Sequence, residues 1–293
     1  MRKINNVFKI INNYLLCIPA LLFVIVFLFV PVIENIYYSF FKWDGLSEPI
    51  FIGLKNYIKV LADYSFISSF FNTVIWVIFT LIFPVFGGLL IAFYIRGLKF
   101  ENFYKTIIYV PFTISFVATG VIWTYLYGRD LGVLNGILAL IGVDKINWLT
   151  NYPLNNFSLI VAWTWQQMGV NLVLYLMGLS TIPKEPVESA MIEGASKFQI
   201  FIFIIIPMLK PISVVVITMA MVNSFKVFDL IYVVTRGGPA KTTETLAITM
   251  FRESFVMFNM GYGSAISIIL TLIILSISFM YMKRSLSSET VHI

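Results

Sequence analysis

The chain alternates between long apolar runs and shorter polar intervals. Leu15 to Ile33, broken by Pro19 and Pro31, predicts a first membrane span over residues 13–40. Phe70 to Ile95 predicts a second span over 70–95, with Pro84, Gly87 and Gly88 inside it. Further spans are predicted over 106–127, 157–180, 201–222 and 262–282. Each reaches or exceeds the roughly 20 residues that a helix needs to cross the hydrocarbon core. Proline and glycine recur within them, which membrane helices tolerate where neighbours re-satisfy the backbone. Pro207 and Pro211 interrupt the fifth run, either as a hinge or as a static kink. The polar intervals hold a turn at Trp43-Asp44-Gly45, a short amphipathic helix around 54–62, and the segments 128–155, 182–200 and 223–261. The pattern is that of an all-α polytopic membrane protein with about six transmembrane helices in a single domain, residues 1–293.

Composition agrees. The 293 residues are 59% hydrophobic and only 12% charged, about half the charge of a soluble domain. Mean hydropathy is +0.91. The formal charge of +6 fits orientation signal and lipid contact, and no polar basic domain supports nucleic-acid binding. Arg2, Lys3, Lys9, Arg96, Lys99, Lys105, Lys184, Lys197, Lys210, Lys283 and Arg284 fall on one side of the six-span topology. The positive-inside rule makes that side cytoplasmic and puts both termini there. Basic residues also occur in the outer segments, so the bias is one of density in short loops. The first run is too long for a usual secretory h-region and lacks a small-x-small cleavage site. One cysteine, Cys17, excludes an internal disulfide. One histidine, His292, lies in the tail. No His-Glu-x-x-His, Cys/His pair or paired intramembrane aspartates support an integral-membrane enzyme, the main rival from another class.

The interval 182–200 is one of the few polar stretches. Pro183 and Pro186 stop the preceding helix. Glu185 and Glu188 suit the positive end of a short helix, and Gly194 interrupts it or admits a close backbone. Glu188-Ser189-Ala190, Gly194, Ile204, Ile206 and Pro207 fall at the spacings of the EAA loop, Glu-Ala-Ala, three residues, Gly, nine residues, Ile-x-Leu-Pro. The chain therefore resembles the permease subunits of binding-protein-dependent ABC importers. Ser189 replaces an alanine, Glu193 stands where aspartate is usual, and Ile206 replaces leucine. Asn223-Ser224-Phe225, Phe228-Asp229-Leu230-Ile231-Tyr232 and Gly237-Gly238-Pro239, with Gly53-Leu54-Lys55-Asn56-Tyr57 and Gly132-Val133-Leu134-Asn135, are similar to sugar permeases of the maltose and glycerol-phosphate transporter type.

The resemblance implies a carbohydrate permease in a prokaryotic cytoplasmic membrane. It implies as partners a second permease, two ATPase subunits and an extracytoplasmic solute-binding protein, all within a lipid bilayer setting and without nucleic acid. Glycerol-phosphate or another polar metabolite is the alternative solute. The chain has no Gly-x-x-x-x-Gly-Lys-Ser/Thr loop, so no cofactor is expected in it; ATP and Mg would be bound by the partner subunits. Glu188, Ala190, Gly194 and Ala195 are the expected ATPase-coupling residues in a cytoplasmic coupling loop. Polar and aromatic residues at membrane depth nominate a solute pathway: Trp165, Gln166 and Asn171, then Asn223, Phe225 and Asp229. The same residue types also suit interhelical hydrogen bonds or an interfacial aromatic belt, and Asp229 could pair with Lys226 or Arg236.

Overall fold

The computed structural model describes residues 18–287. The start of the first span, Cys17, the amino-terminal basic residues and His292 lie outside these residues. In chain order, α1 is Ile18–Tyr38. Strands β1 (Phe41–Lys42) and β2 (Ile50–Phe51) pair antiparallel, with Phe41 opposite Phe51. Then come α2 (Lys55–Ala62), α3 (Tyr64–Ile95), α4 (Glu101–Tyr109), α5 (Phe116–Leu126) and α6 (Val133–Leu140). The rest are α7 (Leu154–Ser180), α8 (Glu185–Ile192), α9 (Lys197–Met208), α10 (Lys210–Phe225), α11 (Asp229–Val234), α12 (Leu246–Phe251) and α13 (Met260–Ser287).

Among the described residues, four helices are long and apolar enough to cross a bilayer: α1, α3, the Lys210–Val234 stretch and α13. A fifth is counted if Glu101–Thr113 and Phe116–Leu126 form one span. The sequence predicts one continuous helix over 106–127, but these two pieces meet at 99°. Pro111 opens a short 3-10 turn, Val110–Thr113, and the Ser115 side chain caps a new helix by accepting from the Ala118 amide. The fifth predicted run is likewise divided into α9 and α10, with Pro207 and Pro211 near the break. The second begins earlier than residue 70, because Asp63 caps α3 by accepting from the Ser65 amide at 2.8 Å. Helix α7 has 27 residues, about 40 Å at the helical rise. It reaches crossing length but buries Asn155, Asn156, Gln166, Gln167 and Asn171, so it belongs in the bundle interior rather than in lipid.

Contacts divide the chain into two compact units. One comprises residues 1–62 and 250–269. In it, buried Asn56 donates to the Ser39 and Phe41 carbonyls at 2.9 and 2.8 Å. Asn35 donates to the Ser267 hydroxyl at 3.2 Å. Asp44 closes the predicted turn by accepting from the Leu46 and Ser47 amides, and these bonds hold its carboxyl down at about 2.

The other unit comprises residues 63–249 and 270–293 and is built around α7. At one end Trp76, Leu159, Trp163, Leu230, Ile231 and Ile248 form a core. At the other, Leu89, Leu172, Tyr175, Leu179, Phe201 and Leu209 form a second. Lipid tails are as apolar as these side chains, so close packing rather than escape from water holds the helices together. Gly169 shows how close. A Cβ there would lie 2.5 Å from the Ile108 carbonyl oxygen, so only glycine lets α4 rest on α7.

Candidate functional site

Helices α3, α7 and α10 enclose a small recess within the second unit. Proline lacks an amide donor, and Pro84 sits in a widened π-helical turn of α3, Ile82–Phe86, as expected where a proline disturbs the helix ladder. Pro84 lines the recess with Thr80. From α7 come Trp163, Gln167 and Asn171; from α10 come Asn223 and Ser224. The Thr80 and Ser224 hydroxyls are buried and 2.6 Å apart, and Asn171 donates back to the Gln167 carbonyl at 3.2 Å. The cavity volume is about 60 Å³, enough for a few waters but not for a sugar ring. None of its twelve lining residues is charged.

The sequence-nominated pathway residues separate on this geometry. Asn171 and Asn223 line the recess. Gln166 does not. Its side chain is buried, and its amide donates to the Ile114 carbonyl at 2.6 Å, the group left open by the break between α4 and α5. Trp165 turns to another face, where with Phe83, Phe86, Ile107, Pro111 and Trp123 it lines an apolar groove of about 750 Å³. Phe225 is 3% exposed and is not among the recess residues. Asp229 is exposed in the first turn of α11, and no ion pair joins it to Lys226 or Arg236 among the described residues. Gln167 was the nearer signal: Trp163, Gln167 and Asn171 recur every four residues, one stripe of a helix. Thr80 and Ser224 carried no such signal, since hydroxyls are common in membrane helices.

The interval 182–200 folds as two capped helices. Glu185 and Glu188 occupy the first turn of α8, with Pro186 at its start. Its end is a Schellman motif: the Ala195 amide donates to the Ala190 carbonyl at 2.9 Å, and the Gly194 amide to the Met191 carbonyl at 3.1 Å. Gly194 adopts φ +84°, which accounts for glycine at that position. Ser196 then opens α9 with a capping box, its hydroxyl and the Gln199 side chain each accepting the other residue's amide. Val187, Ala190 and Ala195 pack toward the core beneath. The outward face is Glu188 with Met191 and Ile192, 56% and 87% exposed. Sequence reasoning named Glu188 but not its two apolar neighbours, although i+3 and i+4 spacing from Glu188 puts them on its side of the helix.

Residues 84–290 match the family described as "Binding-protein-dependent transport system inner membrane component". The osmoprotective compounds uptake permease protein GgtC of Synechocystis sp. (strain ATCC 27184 / PCC 6803 / Kazusa) is 36% identical over 277 residues, 92% of this chain and 98% of that protein. The trehalose/maltose transport system permease protein MalF of Thermococcus litoralis (strain ATCC 51850 / DSM 5473 / JCM 8560 / NS-C) is 32% identical over 273 residues, 92% of each. Among solved structures, a bacterial ABC transporter involved in the import of the acidic polysaccharide alginate shares the fold, with a TM-score of 0.86 and 21% identity over 97% of this chain and 98% of that one. A match that runs from the second span through the capped loop to the last helix, with relatives aligned over nearly their whole length, makes this chain a member of the binding-protein-dependent transport system inner membrane component family.

Proposed function

We propose that the protein is the permease subunit of an ABC importer that moves an uncharged carbohydrate across a prokaryotic cytoplasmic membrane. The observation that carries the solute class is the recess between α3, α7 and α10, which sets amides and hydroxyls among apolar side chains and holds no charge. Amides and hydroxyls beside the Trp163 ring suit the hydroxyls and apolar faces of a sugar. A phosphate ester would call for a cation or a helix N-terminus, and the recess offers no lysine or arginine. This favours a sugar over glycerol-phosphate, in line with the trehalose/maltose permease among the relatives. The recess is smaller than any sugar, so it is read as a closed part of a path that widens when helices separate and a second permease completes the wall.

Energy reaches this path through α8. Glu188, Met191 and Ile192 make the contact with an ATPase subunit, while Ala190, Gly194 and Ala195 fix the helix on the membrane core. Two such ATPase subunits bind ATP and Mg, and an external binding protein delivers the solute. The interval 182–200 and both termini lie on the cytoplasmic side. Reconstitution tests the reading: the permease, its co-purifying permease and ATPase, and the binding protein in liposomes should give ATP-dependent uptake of a neutral sugar. Asn171→Leu should lower uptake with little change in ATPase binding, and Ile192→Asp should weaken ATPase binding instead. Uptake driven by an ion gradient with no ATPase would overturn it.

A further inference from the structure

The loop between α11 and α12 is held far more firmly than a connector requires. Asn72 of α3 donates to the Lys241 and Glu244 carbonyls at 3.4 and 3.1 Å. Asn155 and Asn156 of α7 donate to the Thr242 hydroxyl and carbonyl, both at 2.8 Å. Lys241 reaches the Ser65 hydroxyl at 2.6 Å. These bonds hold Ala240 and Lys241 at φ 46° and 64°, a left-handed conformation that side chains with a Cβ rarely adopt. The fixed loop becomes one wall of a cleft of about 330 Å³. Its other walls are the first turns of α3, with Tyr64, Ser65 and Ser68, and Tyr152 from the segment before α7. Three segments that the positive-inside pattern puts on the outer side thus meet at one opening, well separated in sequence from the Asn171 recess.

We infer that this cleft is an outer binding site for a neutral saccharide, engaged before the solute enters the membrane path. Tyr64 and Tyr152 are 82% and 61% exposed, so their ring faces are free to pack on a pyranose. Ser68 and the two tyrosine hydroxyls offer polar groups that can orient sugar hydroxyls, and the volume lies within the range of small-molecule sites. Lys241 donates to Ser65 and keeps its charge and two further N–H groups at the rim, which can also donate to sugar hydroxyls. The saccharide class rests on the carbohydrate reading above; the cleft itself does not.

Saturation-transfer NMR on the whole transporter in nanodiscs, without binding protein or ATP, tests this with maltotriose, trehalose and raffinose as probes. The wild type should transfer to the ring protons of at least one. The double variant Tyr64→Ala/Tyr152→Ala should reduce that signal about fivefold or more, while Asn171→Leu retains it. Both tyrosines are exposed, so the double variant should fold; its melting temperature checks this. No transfer to any probe in the wild type, or equal transfer in the double variant, overturns the inference. So does a double variant that keeps transfer but no longer captures the binding protein, which would make the cleft a protein docking notch. Uptake of the same probes by the reconstituted system is read alongside: uptake without transfer sinks this site alone, whereas neither uptake nor transfer sinks the carbohydrate reading with it.

Discussion

Gln166→Leu separates a structural role from a solute-contacting one. The Gln166 amide satisfies the Ile114 carbonyl at 2.6 Å, beside the 99° break between α4 and α5. Irregular backbone at membrane depth survives only where protein or water satisfies it. Leucine fills similar volume but cannot donate. Losing the bond costs about 0.5–1.5 kcal/mol net, and leaving a half-buried carbonyl unpaired raises this toward 1–3 kcal/mol. One term offsets it: the Gln166 carbonyl oxygen is itself buried without a partner, and leucine removes that burden. The expected destabilisation is about 1–2 kcal/mol, a 5- to 30-fold rise in the open population of the bend. Hydrogen exchange over residues 114–118 in nanodiscs should accelerate by that factor, while exchange at the far end of α7 is unchanged. Uptake at a permissive temperature should persist. Unchanged exchange together with abolished uptake would refute the reasoning and return Gln166 to the solute path.

The proposed coupling role of the interval 182–200 gives a second test. At φ +84°, Gly194→Val should cost about 1–2 kcal/mol and Gly194→Asn less, so coupled ATP hydrolysis should fall in the order Gly, Asn, Val; equal activity in all three would remove the argument. Replacing Pro207 and Pro211 together by alanine should straighten the join between α9 and α10 and alter the ratio of ATP hydrolysed to solute moved. An unchanged ratio in a well-folded double variant leaves the prolines as static kinks. At Asp44 the folded carboxyl is lowered from 3.8 to about 2. Its contribution is therefore fully present above the unfolded value and lost as pH falls through about 2; amide shifts of Leu46 and Ser47 should be flat down to about pH 4 and move only below it.

The apolar runs and the loop interval determined the class of protein and where one polar two-helix segment lies. Hydrophobic runs of bilayer length are a local property, and so are the caps: Pro186, Gly194 and the Ser196–Gln199 pair act within a turn or two of themselves. That is why the breaks at Pro186 and Gly194 were legible, although the equally local Ser196–Gln199 cap went unread. Which face each residue turns was not. Trp165, Gln166 and Gln167 are consecutive, yet one lines an apolar groove, one satisfies a broken helix and one lines the recess. Consecutive helical residues are spread about 100° apart, so only the neighbours of α7 decide their roles. The same holds for Ala190 and Ala195, whose small size suits an outer contact as well as the inner packing they make. The break at Ile114 needed Pro111 and Ser115 locally, but also a donor 52 residues away. Local pattern decided which segments could be buried; tertiary packing chose against what, because partners distant in the chain supply the hydrogen bonds and shape that make one arrangement lowest in energy.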